Sequence, residues 1–354
     1  MKKSHSNQAQ KERQLAQKFL NDAKEKRRKC MYPNCLDYSI NSHLLQKRGV
    51  LSEIANEGKF IEYDNSTPYQ PEKFAKTGIN ETDMFTFRGF CNLHDTEIFR
   101  DIENGSSDFS EYRHQILFYY RAVSNQLFNS EFTHEYLERV IEDANFTKER
   151  KSFYLKDRTH NMISLRDLQY FKHRIEDELF YGSPDPLFVF HQFKLPRIDV
   201  VASVVIGGSW NPDLNYDRIA NLNPSDKNYN PASIPVFFNL IPRKNSTVML
   251  LGHLSNANLV ELVPVENIPN LTQTNLLRWV SRILTKTNIW GMSIPFHKKL
   301  EETGKIFQYH LIRNNWLANS RSISTHHKPG RYQAPPDFNL FKLDGADILG
   351  RRLI

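Results

Sequence analysis

Three cysteines and a histidine stand in two close pairs, CMYPNC (Cys30 and Cys35) and CNLH (Cys91 and His94). They are the only cysteines of the 354-residue chain, and all fall within its first 94 residues. Zn2+ takes four soft or borderline donors in a tetrahedron, and these residues supply a Cys3His set. Between the first two sulfurs, Pro33 and Asn34 favour a tight turn that aims both at one ion. In the second pair the spacing of three puts Cys91 and His94 on one face of a first helical turn. The expectation is a structural Zn2+ site. The competing reading, three buried thiols beside a surface histidine, needs no ion.

The elements that must position these residues follow from the flanking sequence. After His94, DTEIFRDIE continues the helix with Ile98, Phe99 and Ile102 apolar; a knuckle followed by a pair at a helix start is a treble-clef arrangement. The order CMYPNC, INSH, GFCNLHD resembles the HNH, or ββα-metal, nucleases over less than a third of the chain. That resemblance implies a hairpin histidine, His43, as the general base that deprotonates the attacking water. It also implies that Asp95, where the family usually has His or Asn, binds a catalytic Mg2+ that stabilises phosphorane charge. Ser42 stands where the family commonly has Asp, Glu or His, and the stretch from His43 to Cys91 is longer than in compact members. Similarity to bacterial proteins sharing the SH and GFC..HD..IF elements implies a setting in host defence.

The residues also have plainer readings. His43 can support the fold or serve as an alternative zinc ligand, and Asp95 can sit in a first helical turn because the macrodipole favours an acid there. Glu97, Asp101 and Glu103 read as solvated. RSISTH (Arg321 to His326) has the Arg and His spacing of HEPN-type ribonucleases but lies in a polar stretch near the tail. GGSW at Gly207 to Trp210 lacks the spacing and lysine of a phosphate loop and reads as a turn.

Four stretches organise the chain. Residues 1–29 read as a basic arm, helical from about Gln8 with a thin apolar stripe of Leu15, Phe19 and Ala23, and residues 30–105 as the zinc module. Residues 106–182 read as helical, from EYRHQILFYYRAVSNQLF through EFTHEYLERVIEDA to SLRDLQYFKHRIEDELF. Their aromatics, among them Phe118, Tyr119, Tyr120, Tyr170 and Phe171, read as core. Residues 183–354 read as β-rich, with strands in DVVASVVIGGSW, ASIPVFFNLIP and STVMLLGHLS, a closing helix in TQTNLLRWVSRILTKT, and an irregular tail around HHKPGRYQAPPDF. The fold class expected is α+β.

Charge adds a partner. Met1 to Cys30 carries ten Lys or Arg against three Asp or Glu, so its +7 equals the formal charge of the whole chain. A basic arm abutting a zinc site predicts DNA or RNA, because neutralised phosphates release counterions; a solvated, solubilising helix is the alternative. At 39% hydrophobic the chain buries a sizeable core. No apolar run of about 18 residues predicts a membrane span. The polar N-terminus predicts no secretory signal, and three cysteines are too few for a disulfide framework, which predicts the cytoplasm. The functional expectation is a zinc-binding, nucleic-acid-interacting protein with metal-dependent endonuclease activity. The alternative is a noncatalytic binding or scaffold protein whose C-terminal domain meets a partner protein.

Overall fold

The structure is a computed structural model describing residues 2–64, 73–103, 107–182, 186–206, 223–224, 229, 231–232, 235–255, 270–322, 338–343 and 346–347, with side chains described from 7 to 314 of these and at 338–342. It mixes helices and sheet, with a helical middle and a sheet-rich C-terminal region, as an α+β fold.

The centre is α4 (Tyr112–Glu142), where Gln115 through Asn125 are all buried. A helix buried on every side is packed on every side. α5 (Lys148–Glu176) folds back against it, its start capped by the Thr147 hydroxyl accepting from Arg150 N–H. α1 (Lys2–Glu25) lies on the far half of α4. Its thin stripe suffices because Ala16 and Ala23 let the helices approach closely around Phe19. These three pack with Tyr136, Leu137, Val140, Phe146 and Tyr154. The helix begins at Lys2 rather than Gln8, and α1 is a docked helix rather than a free arm.

Seven strands form one antiparallel sheet in the order β3-β2-β9-β6-β7-β8-β5. They are β2 (Lys59–Asp64), β3 (Lys73–Gly78), β5 (Phe188–Pro196), β6 (Val200–Ile206), β7 (Val236–Arg243), β8 (Ser246–Leu254) and β9 (Trp290–Met292). β6, β7 and β8 are buried along most of their length. Alternation along β7 shows why: Phe237 meets Tyr119 of α4, while Phe238 meets Trp279 of α6 (Gln273–Leu284) on the opposite face. Helix, sheet and helix make three layers around one core. Near the β3–β2 end of the sheet, α7 (Ile294–Glu302) and α8 (Lys305–Ser322) follow β9, with Trp290 Nε1–H donating to Tyr309 Oη at 3.2 Å. β5 was not among the strands read from the sequence.

A separate two-stranded ribbon pairs β1 (Asn41–His43) with β4 (Thr86–Arg88), and α3 (Asn92–Glu103) follows directly. Between the two arms of this ribbon the chain leaves to build the one-turn α2 (Ser52–Ile54), β2 and β3. That excursion accounts for the length between His43 and Cys91. Ribbon and α3 both rest on α4, through Phe87 on Phe128 and through Phe90 and Phe99 on Tyr120. GGSW, the tail from 323 to 337 and the side chains of RSISTH lie outside the described residues.

Candidate metal centre

Cys30 and Cys35 sit on a tight knuckle. Cys35 N–H donates to Tyr32 O at 3.1 Å, and Asn34 takes a left-handed φ of 61° that the turn requires. Cys30 N–H donates to Asp37 O at 2.8 Å and closes the base. Two further bonds tie the knuckle to the start of α3: Met31 N–H to Gly89 O and Ile40 N–H to Phe90 O, both 2.8 Å. A Cβ on Gly89 would lie 2.2 Å from the Phe87 ring, so only glycine fits the approach. Sequence neighbours about 60 positions apart are thereby brought to one point.

The four donors converge there. Nδ1 of His94 lies 3.2 Å from Cys91 Sγ and 3.5 Å from Cys30 Sγ, and Cys35 Sγ lies 4.0 Å from Cys91 Sγ. All four ligand atoms are within 4.8 Å of one another, and they form a cluster able to hold a metal ion. With metal–sulfur bonds near 2.3 Å and metal–nitrogen bonds near 2.0–2.1 Å, a zinc tetrahedron has edges of roughly 3.5–3.8 Å. The donor set and its spacing are compatible with zinc. His43 is not among the four.

Burial makes the thiolate form of the cluster costly unless a positive charge joins it. Burial pushes the Cys30 thiol up to about 12, opposed by N–H donors from Cys91 (3.2 Å) and Tyr32 (3.5 Å) that favour the thiolate. The His94 imidazole is held flat by Tyr32, ring centroids 3.9 Å apart, and Tyr32 is wedged in turn against Phe180. No basic side chain among the described hydrogen bonds and ion pairs reaches the sulfurs.

A second polar cluster adjoins the first turn of α3. Ser42 is fully buried, accepts from Phe90 N–H at 3.2 Å, and hydrogen-bonds the Asp95 carboxylate. Asp95 Oδ1 lies 3.8 Å from Nη2 of Arg121, whose Nη1 is 2.6 Å from Glu103 Oε1. Arg121 is 1% exposed, with its guanidinium 4.0 Å over the Phe99 ring. Burial raises the Asp95 carboxyl, and Arg121 and Ser42 pull it back. His43, half-buried on β1 opposite Thr86, is lowered to about 4 by burial and by Lys47 and Arg121, with Glu103 opposing. Arg121 and Glu103 thus act on both His43 and Asp95.

Sequence reasoning missed Arg121 and Lys47. Arg121 carried a usable signal: a charge inside ILFYYRAV, a run otherwise apolar on every helical face. Glu103, expected to be solvated, faces that guanidinium, while Asp101 pairs at the surface with Arg113 at 2.9 Å.

The basic N-terminal segment is largely spoken for. Lys24 pairs with Asp83, Lys26 with Glu135, and Arg28 with Glu131 and Glu135, while Arg27 and Lys29 lie over the Tyr38 ring. No helix among the described residues is long and apolar enough to cross a membrane. Compared with protein-family models, with curated proteins and with solved structures, the chain matches none of them.

Proposed function

We propose that the protein is a zinc-binding, nucleic-acid-interacting protein of HNH-like type, with Zn2+ on Cys30, Cys35, Cys91 and His94 as a structural brace. The observation that carries this is the convergence of four donors from a knuckle and a helix start on one point. Ribbon, helix and sulfur cluster follow the ββα-metal order, which supports His43 on the ribbon as general base and Asp95 on the helix as ligand to a catalytic Mg2+. The lowered imidazole is neutral at physiological pH but a weak base there, so general-base action by His43 requires the bound Mg2+ to acidify the attacking water. Bound Mg2+ supplies Lewis-acid stabilisation of the developing phosphorane charge. DNA or RNA is the substrate, the cytoplasm the compartment and host defence the setting. Residues 183–354 then serve as a partner-binding region beside the nuclease module.

The test is plasmid nicking with and without Mg2+ by wild-type and His43→Ala protein. Cleavage that needs Mg2+ and is lost in the variant supports the reading; equal nicking by both removes it.

A second reading has its own support. Asp95 is engaged by Ser42 and faces Arg121, and beside the knuckle Arg28 is paired with Glu131 and Glu135 while Arg27 and Lys29 lie over Tyr38. Both features suit a noncatalytic binding or scaffold protein with a structural zinc finger. Protein that shifts nucleic acid without cutting it favours this alternative.

A further inference from the structure

A cleft of about 900 Å³ opens beside the ribbon, bounded by the C-terminal half of α1, by β1 and β4, by the middle of α4, by α5, and by Asn288 and Ile289 ahead of β9. Asn41 and His43 are two apart on β1 and share a face of the ribbon, as do their cross-strand partners Arg88 and Thr86. Asn41, Thr86 and Arg88 line the cleft. The ribbon face that carries His43 therefore runs into it.

The lining is dominated by carboxamides: Asn21, Asn41, Asn125, Gln126, Asn129 and Asn161 all contribute. One of them is left short of a partner. Asn125 lines the cleft, is 2% exposed, and no hydrogen bond of its side chain is present among the described residues. A nearly buried amide without a partner is destabilising, so Asn125 points to a ligand that completes it. The charges argue against a phosphate deep in the cleft, since Lys24 is paired with Asp83, and Glu25 and Glu62, the latter accepting from Thr82 at 2.5 Å, add carboxylates; Arg88, on the ribbon wall, has no ion pair among the described residues. Phe128, Phe132 and Met84 give the cleft an apolar floor. Flat, neutral, apolar on its faces and carrying donors and acceptors along its edge, a nucleobase meets each of these requirements, and carboxamides match such an edge two bonds at a time.

We propose that this cleft takes an unpaired nucleobase of a polynucleotide, with Asn125 reading its edge and the adjoining phosphate running along the Arg88 and His43 face of the ribbon. The inference rests on the nucleic-acid reading above. Its test is fluorescence anisotropy of the full-length protein without added Mg2+, using single strands of about twelve nucleotides as DNA, as RNA, and as abasic strands of equal length. Base-bearing strands bind roughly ten-fold more tightly than abasic ones, and Asn125→Ala and the near-isosteric Asn125→Leu each reduce that preference without lowering the melting temperature, since each removes an unpaired amide. The DNA and RNA arms identify the sugar. Equal binding of abasic strands, or a preference intact in both variants, overturns the inference. Nicking activity without base preference discards the cleft and keeps the nuclease. Base preference without nicking does the reverse, and no binding of any strand overturns both.

Discussion

Two polar clusters flank the first turn of α3, and they solve burial in opposite ways. The sulfur cluster gathers three thiols and an imidazole, and burial first, then the neighbouring Cys91 thiol, drive Cys30 up. The Asp95 cluster carries its counter-charge with it, since Arg121 sits between Asp95 and Glu103. One arrangement offers a full donor set to an ion; the other brings its own counter-charge, although Asp95 Oδ1 and Arg121 Nε are buried without hydrogen-bond partners among the described residues. A site braced by a metal and a site braced by a guanidinium should respond differently to every perturbation that separates charge from ligand.

The largest effect belongs to the sulfur cluster. Chelation, or Cys91→Ala, removes the cross-link between knuckle and helix. Because metal binding by such sites is folding free energy, of order 10 kcal/mol in isolated zinc modules, the melting temperature falls steeply and the ribbon loses its anchor. Metal analysis of the purified protein gives one equivalent of zinc, and thermal melts with and without chelator give the loss. A protein that melts identically after complete metal removal breaks the comparison at its first term.

Next comes Arg121. Removing one partner of a buried charged group while leaving the others costs about 3–5 kcal/mol, so Arg121→Met destabilises by about 3 kcal/mol in denaturant unfolding, with zinc content unchanged. Adding Asp95→Asn restores part of it, since the uncompensated carboxylate is then gone. An Arg121→Met protein as stable as wild type means the cluster is not closed by this guanidinium.

How much of this was legible beforehand depends on range. The cysteine spacings needed only local geometry, and β6, β7, β8 and α6 announced themselves by dense apolar runs or 3.6-residue periodicity. β9 did not, because WGM is three residues whose strand character comes from pairing with Ile61 and Glu62 some 230 positions away. Residues 59–78 were read as part of a zinc module, yet their strands hydrogen-bond into the seven-stranded sheet. The alternation in FVFHQFKLP was visible but weak, as suits a half-buried edge strand. At the site, residue types identified the sulfurs; the Asp95 cluster depended on α4 crossing α3, a tertiary contact with no local signature.

His43 gives a smaller, pH-dependent effect. Its folded pKa is depressed, to about 4, so below the ordinary histidine range the unfolded chain takes up a proton that the folded imidazole refuses. Stability therefore falls as pH drops from about 6.5 toward 4, and is unaffected above that window. His43→Gln removes this term, so the variant gains about 1–2 kcal/mol relative to wild type at pH 5 compared with pH 7. Denaturant titrations at the two pH values measure it; a difference of opposite sign would place the imidazole beside carboxylate rather than under Arg121 and Lys47.

The smallest effect on stability is expected at Lys26, and it bears on what the basic segment is for. Lys26 pairs with Glu135 at 3.1 Å, but its side chain is 59% exposed. Exposed pairs of this kind are worth a few tenths of a kcal/mol, so Lys26→Ala leaves the melting temperature nearly unchanged. Binding is the discriminating readout. If the lysine exchanges Glu135 for a phosphate, the variant's log–log salt slope for duplex DNA falls by about 0.9, the counterion release of one contact. Arg28, 10% exposed and shared between Glu131 and Glu135, is the internal control. Its loss destabilises the fold without changing the slope, because a guanidinium already enclosed by two carboxylates has no phosphate to release. A slope unchanged in Lys26→Ala assigns this cation, like Arg28, to docking α1 against α4 rather than to nucleic acid.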